Sequence, residues 1–460
     1  MNFEAAKAIL KLIEAAGYEA FIIGGNCRTS FHNSYHKERL KAKDIDIVTN
    51  ADIAAIKNIF PKSEDVGKAF KVIVVNFANN NYEIASYRSD NYFDENGEKL
   101  LTPVCASVKT LDEDRARRDF SINALAQDLN GNFLDYTFTF KGKKYSGMED
   151  IKNKVIRAIG NPEERFYEDP LRILRAFRFM AQLGYNIEPY TLSAIKKTLK
   201  YLKDIPGERI GQELRKIMSS KYAYKALTLM QHHKLFLAKC DINTQKVKIF
   251  EAFNDINFDV IKKFNRAGLE FENWSELLHN DSFEELTKFN VFNKHDLNII
   301  KWLINNDKLY EANADKDFVT NIFNSISPEE RKYDIHHMRA LIDIMNRKYL
   351  MKNNNSAEAK EKVNKVLFWL CARPYFINQL DITGQEIMTI VDNAIEGTWI
   401  GDVKSALLHK LTFCDHYPRP MEIYRNWLPA TIKEVKDDAQ INKEAFQAFI
   451  AKKAFETKSQ

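Results

Sequence analysis

The chain has 460 residues, 45% hydrophobic and 28% charged, with a net charge of +5. That length and balance suit a multi-domain soluble protein of about three or four units and exclude a polybasic nucleic-acid binder. Five cysteines, at positions 27, 105, 240, 371 and 414, never form Cys-x-x-Cys, which excludes a disulfide framework and a zinc knuckle and points to a reducing compartment.

Residues 3–16 read as an amphipathic helix ending near Gly17. Glu4 and Glu14 argue against a transit peptide and no apolar run is long enough for a membrane span, so a cytoplasmic protein without membrane contact is expected. Ala20-Phe21-Ile22-Ile23 is a short apolar strand that runs into Gly24-Gly25 and then Asn26, Cys27 and Arg28. Glycines at a strand end let backbone N–H groups approach phosphate oxygens, and the following helix start adds a favourable dipole. Gly25 is therefore a candidate nucleotide-binding residue, and Arg28 joins it through the family motif given below.

Lys43-Asp44-Ile45-Asp46-Ile47-Val48 follows about twenty residues after the glycines. Two carboxylates one residue apart on a strand share a face. Asp44 and Asp46 are hard oxygen donors suited to Mg²⁺, and two such ions can activate a hydroxyl and stabilise departing pyrophosphate. An exposed edge strand also accommodates Asp-x-Asp, but glycine pair plus carboxylate pair is the nucleotidyltransferase signature of the polymerase-beta superfamily.

Residues 52–60 read as a helix, with strands over 70–77 and 82–88. Glu83 sits between apolar neighbours on a strand that could pair with the Asp44/Asp46 strand; an outward-facing role suits it equally, and it stays outside the site set. Residues 89–110 lose periodicity and read as a long loop. Asp112, Asp114 and Asp119 then crowd against Arg115, Arg117 and Arg118. Arg115 reads as part of a salt-bridged surface helix. Arg118, oriented by Asp119, reads as a triphosphate or ribose contact. A strand over 132–138 and a turn at Ser146-Gly147 close a head of residues 1–150.

Beyond Asn161-Pro162 the pattern is helical. Asp169, Arg172, Arg175 and Arg178 fall three apart along one stripe of a helix over about 170–183. A carboxylate accepts from an exocyclic amine and an arginine donates to a ring N or O, so Asp169 with Arg172 can address the Watson–Crick edge of C and of A. U and G present the opposite exocyclic groups and leave a buried acceptor unpaired, at about 1–3 kcal/mol per group. Residues 157–216 hold 12 Lys and Arg against 8 Asp and Glu, nearly the whole chain's surplus, which suits an RNA contact. Another helix starts at residues 205–210, and amphipathic helices fill 221–345. His295-Asp296 reads as a helix N-terminal pair rather than a phosphohydrolase motif, and His232-His233 and His336-His337 as ordinary helix residues. Residues 352–357 read as a linker.

Five motifs in order carry a family resemblance: Gly24-Gly25-x-x-Arg28, Asp44-x-Asp46, Arg117-Arg118-Asp119-Phe120-Ser121-Ile122-Asn123-Ala124, Glu168-Asp169-Pro170-Leu171-Arg172 and Glu208 to Leu214. Across about residues 18–220 the chain resembles class II tRNA nucleotidyltransferases and bacterial poly(A) polymerases. The resemblance implies an α+β fold: a polymerase-beta-like head of mixed sheet and flanking helices (1–150), then an all-helical neck (151–220), body (221–350) and tail (351–460), the tail contacting tRNA. It implies addition of C, C and A to tRNA 3′ ends from CTP and ATP, with Asp169 and Arg172 templating the base and Arg175 and Arg178 contacting nucleotide. Relatives that add the terminal A carry a flexible loop between the metal strand and the Arg-Arg-Asp motif, and residues 89–110 stand in its place, without the usual basic-Pro sequence. The mildly basic C-terminus and loose likenesses at 380–388 and 398–403 favour tRNA maturation. Alternatives are a poly(A) polymerase, a CC- or A-adding partial enzyme, and an inactive RNA-binding relative. Thr29 stands where the family usually has Asp, and the longer 29–43 segment, rich in His and Lys, raises the expectation of a rearranged helix start. The oligomeric state is open.

Overall fold

The computed structural model describes residues 3–40, 44–67, 72–233, 261, 270–277, 292–306 and 335–371. The chain forms two compact units, 1–297 and 298–460. The likenesses at 380–388 and 398–403 lie outside the described residues.

The first unit opens with α1 (Phe3–Ala15), whose Ala6, Ile9, Leu10 and Ile13 repeat at helical spacing and are all buried. Then come β1 (Ala20–Ile23), α2 (Gly25–His36), β2 (Asp46–Thr49), α3 (Ile53–Ile59), β3 (Ser63–Gly67), β4 (Val72–Phe77) and β5 (Asn80–Ser86). With β8 (Ala126–Gln127) and β9 (Phe133–Leu134) these strands build a seven-stranded sheet, ordered β3-β4-β5-β2-β1-β8-β9. It is mixed, because β2 and β5 run parallel while β1 pairs with β2 antiparallel. Register puts Ile22, Ile47, Ile84 and Ile73 in one buried row across four strands. The adjacent row, on the opposite face, holds Asp46 beside Glu83.

Residues 89–110 depart from the loop expectation. They form a hairpin of β6 (Arg88–Phe93) and β7 (Lys99–Ser107). Its turn is built by Asp94, whose carboxylate accepts the Asn96 and Glu98 amides, and by Gly97 at φ 79°. Asp-Glu-Asn-Gly is a turn sequence, so the polar residues that masked the strands in fact join them.

Next, α4 (Leu111–Ala116) starts with a Thr110/Glu113 capping box and stops within two turns. Residues 117–120 then leave the helix, and Ser121–Asn123 make one 3₁₀ turn. The second hairpin, β10 (Thr137–Phe140) and β11 (Lys143–Ser146), leads into α5 (Gly147–Lys152). Ser146 is thus the N-cap of a helix, accepting the Glu149 amide, where a simple turn was expected. Gly147 must be glycine, since a Cβ there would meet the Ser121 carbonyl oxygen at 2.6 Å.

After β12 (Val155–Ile156), Asn161 caps α6 (Pro162–Glu168), and α7 (Leu171–Leu183) runs to Gly184, at φ 73°. With β13 (Asn186–Ile187), α8 (Pro189–Thr198), α9 (Gly207–Met218) and α10 (Ala223–His232) it forms a helical layer in which α7 packs on α9 and α10. Further helices cover Glu270–Leu277, Lys294–Asn305, Ile335–Lys352 and Ala357–Cys371. The last two join through residues 353–356, a turn in which Asn354 and Asn355 take φ 54° and 55°. The stretch read as a linker is therefore a tight helix connection. Asp296 sits in a helix first turn, its amide bonded to Asn293 and its carboxylate 2.8 Å from Arg215.

Candidate active site

One pocket of about 1070 Å³ in the first unit is lined by Gly25, Arg28, Asp44, Asp46, Arg118, Asp169, Arg172, Arg175 and Arg178. Every sequence-predicted site residue thus reaches the same space. The sheet supplies its acidic end through β2; α2, the 117–123 segment and α7 supply the basic walls.

Asp46 opens β2 and Asp44 lies just before it, exposed. Burial pushes the Asp46 carboxyl up to about 6, the negative charges of Glu83 and Asp44 add to the rise, and Arg118 opposes it. Negative charge held out of water is the setting a cation relieves. No group of three or more His, Cys, Asp or Glu side chains converges as a metal cage among the described residues. Two carboxylates with open coordination suit a divalent ion shared with phosphate oxygens. Asp44 and Asp46 are the residues that would hold it, and Glu83, left out of the sequence set, is the next acidic neighbour by register.

Gly24 adopts φ 79° and ψ −130°, a conformation closed to side-chain-bearing residues, and caps α2. The helix start after the glycines is therefore regular, contrary to the expected rearrangement; α2 runs Gly25–His36 and ends at Lys37 in a left-handed turn. Thr29 is buried and lines the pocket.

Arg118 is held by Asp114, not by its neighbour Asp119: Nη2 donates to Asp114 at 3.1 Å. Asp114 is fully buried, also binds Arg117 at 2.8 Å and accepts the Arg88 amide at 3.3 Å. The i, i+4 spacing of Asp114 and Arg118 carried that signal. Arg115, expected on a wet surface, is buried, donating to the Leu134 and Asp135 carbonyls with its guanidinium 5.3 Å from the Tyr136 ring. The short α4 turns it inward.

Asp119 instead receives Arg175, through Nε at 2.8 Å and Nη2 at 2.6 Å. Its other oxygen accepts the Asn123 amide at 2.9 Å, and Asn123 accepts from Arg28. This chain, Arg28–Asn123–Asp119–Arg175, ties the glycine-turn helix to α7. Burial lowers Arg28 to about 10, and Arg178 adds to the fall. Arg178 pairs with Glu213 of α9 at 2.6 Å. The Nε atoms of Arg28 and Arg118 are buried and have no hydrogen-bond partner among the described residues, although buried donors are ordinarily satisfied. Such donors along a pocket wall suit an anionic ligand.

Asp169 accepts the Leu171 amide at 3.2 Å through one oxygen, turning the chain from α6 into α7. Arg172 is buried, donating to Glu168 at 2.9 Å and to the Arg165 and Arg117 carbonyls at 3.1 and 3.2 Å, beneath the Tyr92 ring. Among the described residues the guanidinium of Arg172 donates only to α6 and the Arg-Arg-Asp segment, so it is fixed in place before any base arrives. Several basic groups of residues 157–216 are ion-paired internally, among them Arg157 with Asp150, Arg165 with Glu168 and Lys197 with Glu163, so the local charge excess overstates the exposed cations.

Family models match twice: the poly A polymerase head domain over residues 20–157, and the probable RNA and SrmB-binding site of polymerase A over 184–238. The chain is 30% identical over 405 residues to the CCA-adding enzyme of Staphylococcus epidermidis, covering 87% of this chain and 91% of that one. To the CCA-adding enzyme of Lactobacillus helveticus it is 38% identical over 228 residues, 49% of this chain and 53% of the relative. The crystal structure of the Bacillus stearothermophilus CCA-adding enzyme in complex with CTP shares the fold at a TM-score of 0.60 and 21% identity, over 96% of this chain and all of that one. With a nucleotidyltransferase head, helical domains behind it and this extent of identity, the chain belongs to the CCA-adding enzyme family of tRNA nucleotidyltransferases.

Proposed function

We propose that Asp44 and Asp46 hold Mg²⁺ for the addition of C, C and A to the 3′ end of tRNA, using CTP and ATP and releasing pyrophosphate. The observation that carries this reading is the meeting, in one pocket, of the open carboxylate pair with the Gly24-Gly25 turn, the Arg118 guanidinium and the polar edge of α7. When bound, the metal supplies charge neutralisation at the phosphates and a more acidic 3′-hydroxyl. The protein's share is positioning. The Gly24 N–H is taken by the Leu125 carbonyl, so the start of α2 from Gly25 offers its amides to phosphate oxygens, and Arg118, fixed by Asp114, presents a rigid fork. Asp169 and Arg172 select the base: the second carboxylate oxygen of Asp169 accepts an exocyclic amine, which C and A have and U lacks at the matching edge. Arg175 and Arg178 complete the nucleotide contacts, and the tail contacts tRNA. No helix of the described residues is long and apolar enough to cross a membrane. Cys27 and Cys105 are free thiols, which supports a cytoplasmic setting.

Incubation with tRNA ending at the discriminator base tests the reading. CTP alone should add two residues and CTP with ATP three. A run of A from ATP alone would make the protein a poly(A) polymerase, and no incorporation would make it an inactive relative.

A further inference from the structure

Most arginines that line the pocket are held by protein partners: Arg117 and Arg118 by Asp114, Arg172 by Glu168, Arg175 by Asp119, Arg178 by Glu213. Arg39 lines the same pocket as Asp44 and is exposed, and its guanidinium has no protein partner among the described residues. The backbone that carries it is nevertheless built with care. Lys37 reverses the chain after α2. Glu38 is gripped by His32 at 3.1 Å and by Lys154 at 2.7 Å, and His32 is itself buried against the Tyr185 hydroxyl at 2.6 Å. Asn33 then binds both backbone groups of Leu40, its amide donating to the carbonyl at 2.8 Å and its oxygen accepting the N–H at 2.8 Å.

We propose that Arg39 is a phosphate-binding residue of this pocket, presented by a strut made of Asn33, Glu38, His32 and Lys154. The residues on either side are pinned, so the Arg39 stem leaves a fixed backbone while its charged head stays unspent. An unpaired, planar guanidinium in one pocket with a carboxylate pair that suits a cation matches a ligand that carries both anionic oxygens and a bound metal. This ligand is a polyphosphate or an RNA backbone phosphate. The proposal rests on the nucleotidyltransferase reading of the pocket, and it lies in the 29–43 stretch, where the chain departs from the family pattern.

Equilibrium binding separates this proposal from catalysis. CTP, inorganic pyrophosphate and tRNA lacking CCA are titrated separately, with Mg²⁺, into wild type, Arg39→Ala, Arg39→Lys and Asn33→Ala. Arg39→Ala should bind about tenfold more weakly in at least one arm, with an unchanged melting curve because the side chain is exposed. Arg39→Lys should recover part of that loss, and Asn33→Ala should reproduce part of it. Weakened CTP and pyrophosphate binding identifies the triphosphate as the ligand; weakened tRNA binding alone identifies the RNA backbone. Wild-type affinity of Arg39→Ala for all three ligands would overturn the proposal, and wild-type affinity of Asn33→Ala would overturn the role of the strut. A failure to incorporate nucleotide by the wild-type protein would instead strike the functional reading and leave these affinities interpretable.

Discussion

Asp46 and Arg118 face each other across Gly24, the first glycine of the turn. A Cβ added at Gly24 would lie 3.5 Å from a carboxylate oxygen of Asp46 and 3.5 Å from a guanidinium nitrogen of Arg118. The backbone at Gly24 is also one that only glycine adopts freely, at φ 79° and ψ −130°. Gly24→Ala should therefore cost about 1–3 kcal/mol of backbone strain and lower kcat/KM about tenfold or more. A melting curve and steady-state kinetics with CTP check both parts. Unchanged kcat/KM would show that the turn does not set the distance between carboxylate and guanidinium.

Asp169 has two oxygens with different duties, and a substitution reads both. One accepts the Leu171 amide at 3.2 Å; the other faces the nucleotide in the proposed mechanism. Asp169→Ala should lower the melting temperature through a capping loss of about 0.5–2 kcal/mol. It should also shift the ratio of kcat/KM for CTP and ATP over UTP and GTP downward, by about 1–3 kcal/mol. All four nucleotides on tRNA ending at the discriminator base supply the ratio. A melting change with constant ratios would confine Asp169 to the helix junction.

The Asp119–Arg175 pair carries a pH signature. Burial alone would raise the Asp119 carboxyl, but Arg175 and Asn123 outweigh it and hold it well below the usual carboxylate range. A depressed native value stabilises the fold above the unfolded pKa of about 3.9 and loses that stabilisation as pH falls through the native value. Asp119→Asn should therefore unfold more easily than wild type at pH 7, by about 2 kcal/mol, a figure between exposed and fully buried pairs because Arg175 is about a third exposed. The gap should narrow below about pH 4. Urea titrations across pH 3–7 measure it, and a gap independent of pH would assign the loss to packing.

The elements that sequence made legible are those whose signal is local. The apolar repeat of α1, the Ala20–Ile23 strand before two glycines, and the arginine spacing of α7 each follow from a period or a breaker. The gathering of the candidate site residues in one pocket was legible because their motifs combine chemistry with spacing. What was missed depends on contacts distant in sequence or on a turn read as a loop. Arg115 looked solvated beside three carboxylates, yet the carbonyls that bury it come from residues 134 and 135. Arg118 was given to its sequence neighbour Asp119, whereas α4 ends at Ala116 and sends the two side chains apart. Asn33 holds Leu40 across the chain reversal at Lys37, whose φ of 55° nothing in its identity announces.

In the proposed mechanism one carboxylate pair, Asp44 and Asp46, carries the chemistry. Its most direct measurement is single-turnover addition of CTP to tRNA lacking CCA, with Mg²⁺ as the metal, by wild type, Asp44→Ala and Asp46→Ala. A removed carboxylate takes away metal coordination and leaves the buried isoleucine row of the sheet intact, so neither variant should melt below the wild type, Asp46→Ala melting higher if anything because its charge is disfavoured by burial, and both should lose incorporation by a factor of about a thousand or more. Incorporation at the wild-type rate by either variant would contradict the account.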